Sequence, residues 1–309
     1  MTNTSSTHGK WVRRKRNMVP YLLMAPGVIA VLVAVGYPMV KQFIMSFQKF
    51  GLAQQFGKPA PWVGLDNYKS ILTDPYFWQV FGRSLAFCFV TAGLTMILSV
   101  LLAVVLLRAG GFGRGFLNNS LIIVWGMPLL ASLTVWQWLI DPNYGPVNYV
   151  LTKLGAHADG YNWLSGSPWT FFTVASLVII WASIPLATIS IYAAMAQVPS
   201  EVIEAAGMDS ATNAQITRYV LLPSAGTIVA LMTVLEVIWD LRVFTQIYVL
   251  QQSGGVTTET NLLGTYVFQM GIAQGNYGVA SALATVILLL TLLLSSGYIR
   301  MLFRQGDAA

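Results

Sequence analysis

Six long, predominantly apolar stretches dominate the chain, near residues 20–47, 84–107, 116–140, 169–196, 224–250 and 279–303. About 20 such residues, rising 1.5 Å each as a helix, cross the roughly 30 Å hydrocarbon layer of a bilayer. Nothing in that layer hydrogen-bonds an exposed backbone, so only helices or closed barrels span it. A barrel would show segments of about ten alternating residues, and these runs are longer and do not alternate. The expected fold is therefore all-α, a polytopic membrane protein with six transmembrane helices. Only 9% of the residues are charged, against about a quarter in a soluble domain, which is too few to cover a water-facing surface.

Lys10, Arg13, Arg14, Lys15 and Arg16 precede the first run. That run is about twice the length of a signal peptide's apolar region, and no small-residue cleavage site closes it, so it reads as a retained first span. Basic residues set orientation. With six spans, the N-terminus, the 108–115 and 197–223 loops and the C-terminus share one side. They carry the five residues above plus Arg108, Arg114, Arg218, Arg300 and Arg304. The opposite loops, though longer in total, carry Lys49, Lys58, Lys69, Arg83 and Lys153. Both termini are expected to be cytoplasmic, with residues 1–18 forming a basic, disordered segment near anionic lipid head groups. The net charge of +6 follows from this asymmetry and does not indicate nucleic acid. Cys88 is the only cysteine and lies within the second run, so no internal disulfide can form. His8 and His157 are the only histidines, and no metal-ligand cluster is apparent.

The connections differ in kind. The first external one, 48–83, is long, and Asp66 and Asp74-Pro75 could each start a short helix. Its Trp62, Tyr68, Tyr76, Phe77 and Trp78 read either as an interfacial aromatic belt or as part of a docking face. GGFGRG (110–115) matches neither a dinucleotide nor a Walker pattern and is expected to be a flexible turn. The second external segment, 141–168, is rich in turn residues with capped helical pieces. Pro128 and Pro185 fall inside expected spans and should kink them.

The stretch QVPSEVIEAAGMDSATNAQITRYVLLPS (197–224) is unusual between two spans. Its periodicity predicts a short helix over 200–208, capped by Ser200 or by the residue before Pro199. Val202, Ala205 and Ala206 share one face, with Ile203 beside it. A second helix is expected from Asp209 or Ser210, carrying Ile216, Tyr219 and Val220, until Leu222-Pro223 re-enters the membrane. Composition leaves open an amphipathic interfacial connector or a docking element whose small residues admit another protein.

Glu204-Ala205-Ala206, Asp209, Ser210-Ala211, Ile216 and Leu222-Pro223 resemble the coupling loop of permease subunits of binding-protein-dependent ABC importers. WVGLDNY (62–68), DPYFW (74–78), DPNYGPVN (141–148), NWL (162–164), FTQIYVLQQSGG (244–255) and YGVASALA (277–284) are similar to the sugar-transport branch of that family. Within it they resemble the first of two homologous permeases, as in maltose, glycerol-phosphate and trehalose importers, with a trehalose type favoured on overall likeness. Two positions depart from the pattern: Ser210 replaces the usual glycine, and Val256 the usual proline. The resemblance implies a type I ABC importer permease fold in a bacterial inner membrane. It assigns Glu204, Ala205, Ala206, Gly207, Asp209 and Ser210 to ATPase coupling. The implied partners are a homologous second permease, two cytoplasmic ATPase subunits that hold ATP and Mg, and an extracytoplasmic sugar-binding protein or lipoprotein. This chain itself would bind no cofactor and catalyse no reaction.

VLEVIWDLRVFTQIY (234–248) sets Glu236, Asp240 and Arg242 in an apolar run. Ionisable groups at that depth are costly and face a cavity or a partner. Glu236 and Asp240 share a helical face; Phe244 and, less closely, Tyr248 continue it, and Trp239 lies beside Glu236. Acids with aromatic planes suit a polyol, so these five residues are candidates for the substrate pathway; the other reading is a salt bridge to the second permease. An ion-gradient-driven secondary transporter is the alternative function, though no inverted repeat is apparent. A membrane hydrolase lacks any nucleophile–base or metal set.

Overall fold

A computed structural model of the chain describes the backbone of residues 21–306 and the side chains of residues 21–296. The basic segment 1–18 and the side chains of Arg300 and Arg304 lie outside the described residues. All the long elements are helices, and the described residues contain one isolated β-bridge, Gln48 with Trp62. Among the described residues, four helices have the length and apolarity to cross a bilayer unaided: α1 (Tyr21–Met45), α2 (Pro75–Arg108), α5 (Pro168–Met195) and the described Tyr277–Ser296 part of a last helix. The third and fifth expected spans are bent pairs, which bring the total to six if each pair crosses once.

The third span is α3 (Gly111–Gly126) and α4 (Leu129–Leu139), meeting at 104°. Pro128 has no N–H to continue α3, and its ring pushes Met127 to an extended ψ of 132°. Pro185, by contrast, sits inside an unbroken α5, so the expected kink there does not interrupt the helix. GGFGRG is not a flexible turn either. Gly110 caps α3, whose first turns contain the remaining glycines. Arg114 reaches back to donate to the carbonyls of Leu106, Leu107 and Ala109, the unpaired acceptors at the end of α2.

The chain forms two compact units. The described parts of Met1–Ile71 and Met270–Thr285 make the first. Asn67 there donates through Nδ2 to the Ser46 and Gln48 carbonyls, both at 2.9 Å, and Tyr68 packs on Phe47. Gly278 allows its segment to lie directly against the Gln48 carbonyl, where a Cβ would clash. The apolar window of α1 buries no residue within the chain. Asp66 begins the short helix Asp66–Thr73 as expected.

Leu72–Gln269 and the described part of Val286–Ala309 make the second unit. Asp74 caps a helix, though not a short one: it accepts from the Tyr76 N–H at 2.9 Å at the head of the 34-residue α2. The core joins α2, α5 and α7 (Gly226–Leu241). Near one end it is apolar, with Phe87, Phe171, Val178, Ile247 and Leu250 buried; near the other lie Met96, Ala103, Ala187, Ile191 and Met232. The fifth span is reached from Asn213–Ser224 through a 73° bend. It breaks again at Arg242–Phe244 before α8 (Thr245–Gln252).

Candidate functional site

The expected helix over 200–208 is present as α6 (Ser200–Met208), with Pro199 at its N-cap and no side-chain cap. Ile203 turns inward to the cluster around Met195 and Leu221. Glu204, Ala205 and Gly207 are exposed, as are Val202 at 45% and Met208 at 88%. An apolar side chain that exposed, on a face lined with small residues, leaves room for another surface.

α6 ends in a Schellman arrangement: the Ser210 N–H donates to Gly207 O at 3.0 Å and the Ala211 N–H to Ala206 O at 3.1 Å. Ser210 takes φ +61°, and among the described residues it is the only non-glycine with positive φ. A glycine at this position would meet no penalty from a Cβ, which gives the family's usual residue a physical reason. The turn is nevertheless the one a glycine would make. Asp209 is the C-cap of α6, and neither it nor Ser210 starts the second helix. That helix begins at Asn213, where Thr212 and Gln215 cap each other, because Ser210 in the left-handed region cannot also be an N-cap in extended geometry. Arg108, at the end of α2, donates to Asn213 O at 2.7 Å and Thr217 Oγ1 at 2.8 Å, fixing this segment to a membrane helix.

In α7, Glu236 and Asp240 are buried, at 1% and 3% exposure, while Arg242 is exposed. Asp240 Oδ2 accepts from Thr91 Oγ1 of α2 at 2.6 Å, and Cys88 donates to Val237 O. Neither oxygen of Glu236 makes a hydrogen bond. The helical face expected to continue from Asp240 through Phe244 to Tyr248 is interrupted, because α7 ends at Leu241 and Phe244 has φ −132°. Gly264 makes this break possible: a Cβ there would stand 2.7 Å from Val243 O.

A cavity of about 240 Å³ opens at the break, lined by Ile179 and Ser183 of α5, Trp239, Asp240 and residues 242–246. Trp239, Asp240 and Phe244 therefore come together around one space. Glu236 does not line it. Tyr248 stacks on Phe244 at 5.4 Å and meets Phe268 edge-on at 4.9 Å, backing the wall. Thr91, bonded to Asp240, and Ser183, in the cavity wall, are neighbours of these candidates that sequence reasoning missed. The signal for the first was available: Ser84, Cys88, Thr91, Thr95 and Ser99 form a small polar stripe at helical spacing along α2.

Two other motif positions have local explanations. Gly254 has φ +135°, and a Cβ on Gly255 would strike Phe171. Val256 keeps φ −73°, close to the angle a proline ring imposes.

Residues 95–305 match the family model described as the binding-protein-dependent transport system inner membrane component. The chain is 36% identical to the diacetylchitobiose uptake system permease protein DasB of Streptomyces coelicolor, over 98% of this chain and 92% of that one. It is 30% identical to the trehalose/maltose transport system permease protein MalF of Thermococcus litoralis, over 91% and 92% respectively. Its fold is similar to a chain of a bacterial ABC transporter involved in the import of the acidic polysaccharide alginate, with a TM-score of 0.77 at 22% identity, covering 94% of this chain and 98% of that one.

Proposed function

The chain belongs to the family of binding-protein-dependent transport system inner membrane components, and on that premise we propose that it is one of two permeases in an ATP-driven importer of disaccharides or short oligosaccharides. It is a multi-pass membrane component and not itself an enzyme. The observation that carries the sugar class is the 36% identity, along nearly the whole chain, to a permease named for diacetylchitobiose uptake. The trehalose/maltose relative at 30% keeps trehalose within the class without singling it out.

Coupling falls to α6. Its exposed Glu204, Ala205, Gly207 and Met208, with the half-buried Ala206 beside them, dock on a cytoplasmic ATPase subunit, and Asp209 and Ser210 turn the chain back. Arg108 ties the returning segment to α2, so displacement of the docked helix tilts a membrane helix as a lever. Substrate passes Trp239, Asp240 and Phe244, where a carboxylate beside aromatic planes offers a sugar both a hydroxyl acceptor and a CH-facing surface. Glu236 and Tyr248 support that wall from behind. An extracytoplasmic binding protein delivers the sugar from the side of residues 141–168.

Reconstitution of the permease pair with its ATPases and binding protein in sealed vesicles tests this. The expected result is ATP-dependent accumulation of labelled diacetylchitobiose or trehalose that needs the binding protein. Uptake driven by a proton or sodium gradient without ATP would establish the secondary-transporter alternative instead.

A further inference from the structure

Glu236 is 1% exposed and both its oxygens lack a hydrogen-bond partner. A carboxylate buried this way needs a compensating charge or donor. The helices around it supply no cation: residues 84–107 of α2, all of α5 and all of α7 contain no Lys, Arg or His. Arg83 donates to Asn261 O at the far end of α2, and Arg108 is engaged at the other. Arg242 lies beyond the end of α7 and is exposed. Asp240, the other acid of the segment, already has Thr91, and the Cys88 thiol is directed to Val237 O.

A second observation lies on the facing helices. Ser84, Thr173 and Thr233 each return their hydroxyl to the carbonyl one turn back, at 2.7–2.8 Å. Thr95 of α2 and Thr188 of α5 are fully buried and do not: neither hydroxyl has a partner. α2 and α7 run antiparallel, with Thr91 meeting Asp240. One turn further along each helix brings Thr95 to the level of Glu236. From α5, the Ser183 side chain lies beside Glu236 without completing a hydrogen bond to either of its oxygens. Ser183 also lines the cavity at the α7 break, which supplies an access route.

We propose that Glu236, Thr95 and Ser183 form a buried binding site for a small monovalent cation of the Na⁺ type. Three oxygen donors from three helices suit a hard ion. One uncompensated carboxylate calls for a single positive charge, which is why the site is monovalent. The ion binds where α7 meets α2 and α5, so it pins together helices that the transport cycle must tilt.

The test is thermal unfolding of the purified permease pair with its ATPases at constant ionic strength, replacing choline chloride stepwise by NaCl. The wild type should show a saturable rise in unfolding temperature with Na⁺. Thr95→Val should need at least tenfold more Na⁺, and Glu236→Gln should show no rise. Identical wild-type curves in NaCl and choline chloride would overturn the site and leave the carboxyl neutralised by a proton. A rise that persists unchanged in Glu236→Gln or Thr95→Val would overturn it too, since the ion would then bind elsewhere. The wild-type comparison stands even where a variant fails to assemble.

Discussion

Ser210 holds a left-handed backbone at the end of the helix proposed to dock on the ATPase, and replacing it should change coupling by a calculable amount. At φ +61° an L-residue costs about 1–2 kcal/mol relative to its ordinary conformations. Glycine removes that cost but gives back about 0.5–1 kcal/mol in lost backbone entropy. Ser210→Gly should therefore stabilise the turn by about 0.5–1 kcal/mol, a factor of about two to five in the equilibrium between the ordered and frayed loop. Ser210→Val should have the opposite effect and a larger one, because a β-branched side chain is a true outlier there. The two bonds that close the turn, Ser210 N–H to Gly207 O and Ala211 N–H to Ala206 O, report it directly. Amide exchange at 210 and 211 should slow in Ser210→Gly and accelerate in Ser210→Val. Affinity of the permease pair for the isolated ATPase, which scales with the ordered fraction of the loop, should rise by at most about two- to fivefold in the first and fall in the second. Unchanged exchange and affinity in Ser210→Val would show that the turn is not a constraint on docking.

Three further outcomes follow from the same geometry. Glu204→Lys and Ala206→Asp should insert and assemble normally yet uncouple ATP hydrolysis from uptake, read as substrate-stimulated ATPase against transport in vesicles; normal values for both would remove α6 from the docking site. Gly264→Val places side-chain atoms against Val243 O, 2.7 Å from where its Cβ must lie, so it should close the break between α7 and α8 and reduce uptake at least tenfold with assembly retained; wild-type uptake would show that the break is dispensable. In a Cys88→Ala background, a cysteine at Ser210 should label only from the cytoplasm and one at Gly155 only from outside, and reversed labelling would invert the topology.

What sequence alone determined here is what depends on local or one-dimensional properties. Apolar length located the four unbroken candidate spans and the two bent pairs that bring the count to six if each crosses once, and helical period placed α6 at residues 200–208. The acids of the fifth span stood out because charge is rare in such a run. The bends depended on three-dimensional context. Pro128 breaks its span and Pro185 does not, although each removes one donor. α5 packs along its length against buried neighbours, with Val178, Ile179, Ala187 and Ile191 all fully or nearly fully buried, and that packing holds the helix across the defect. Met127, partly exposed at 45%, has no such support. A helical wheel drawn across residues 236–248 fails for a related reason: the break at 242–244 depends on Gly264, some twenty residues away in sequence, leaving room for the Val243 carbonyl. Only the tertiary structure decided that Asp240 meets Thr91 and lines a cavity while Glu236 lies behind it without a partner. Which oxygen a buried carboxylate reaches depends on the register between helices that are distant in sequence, and that register is set by packing.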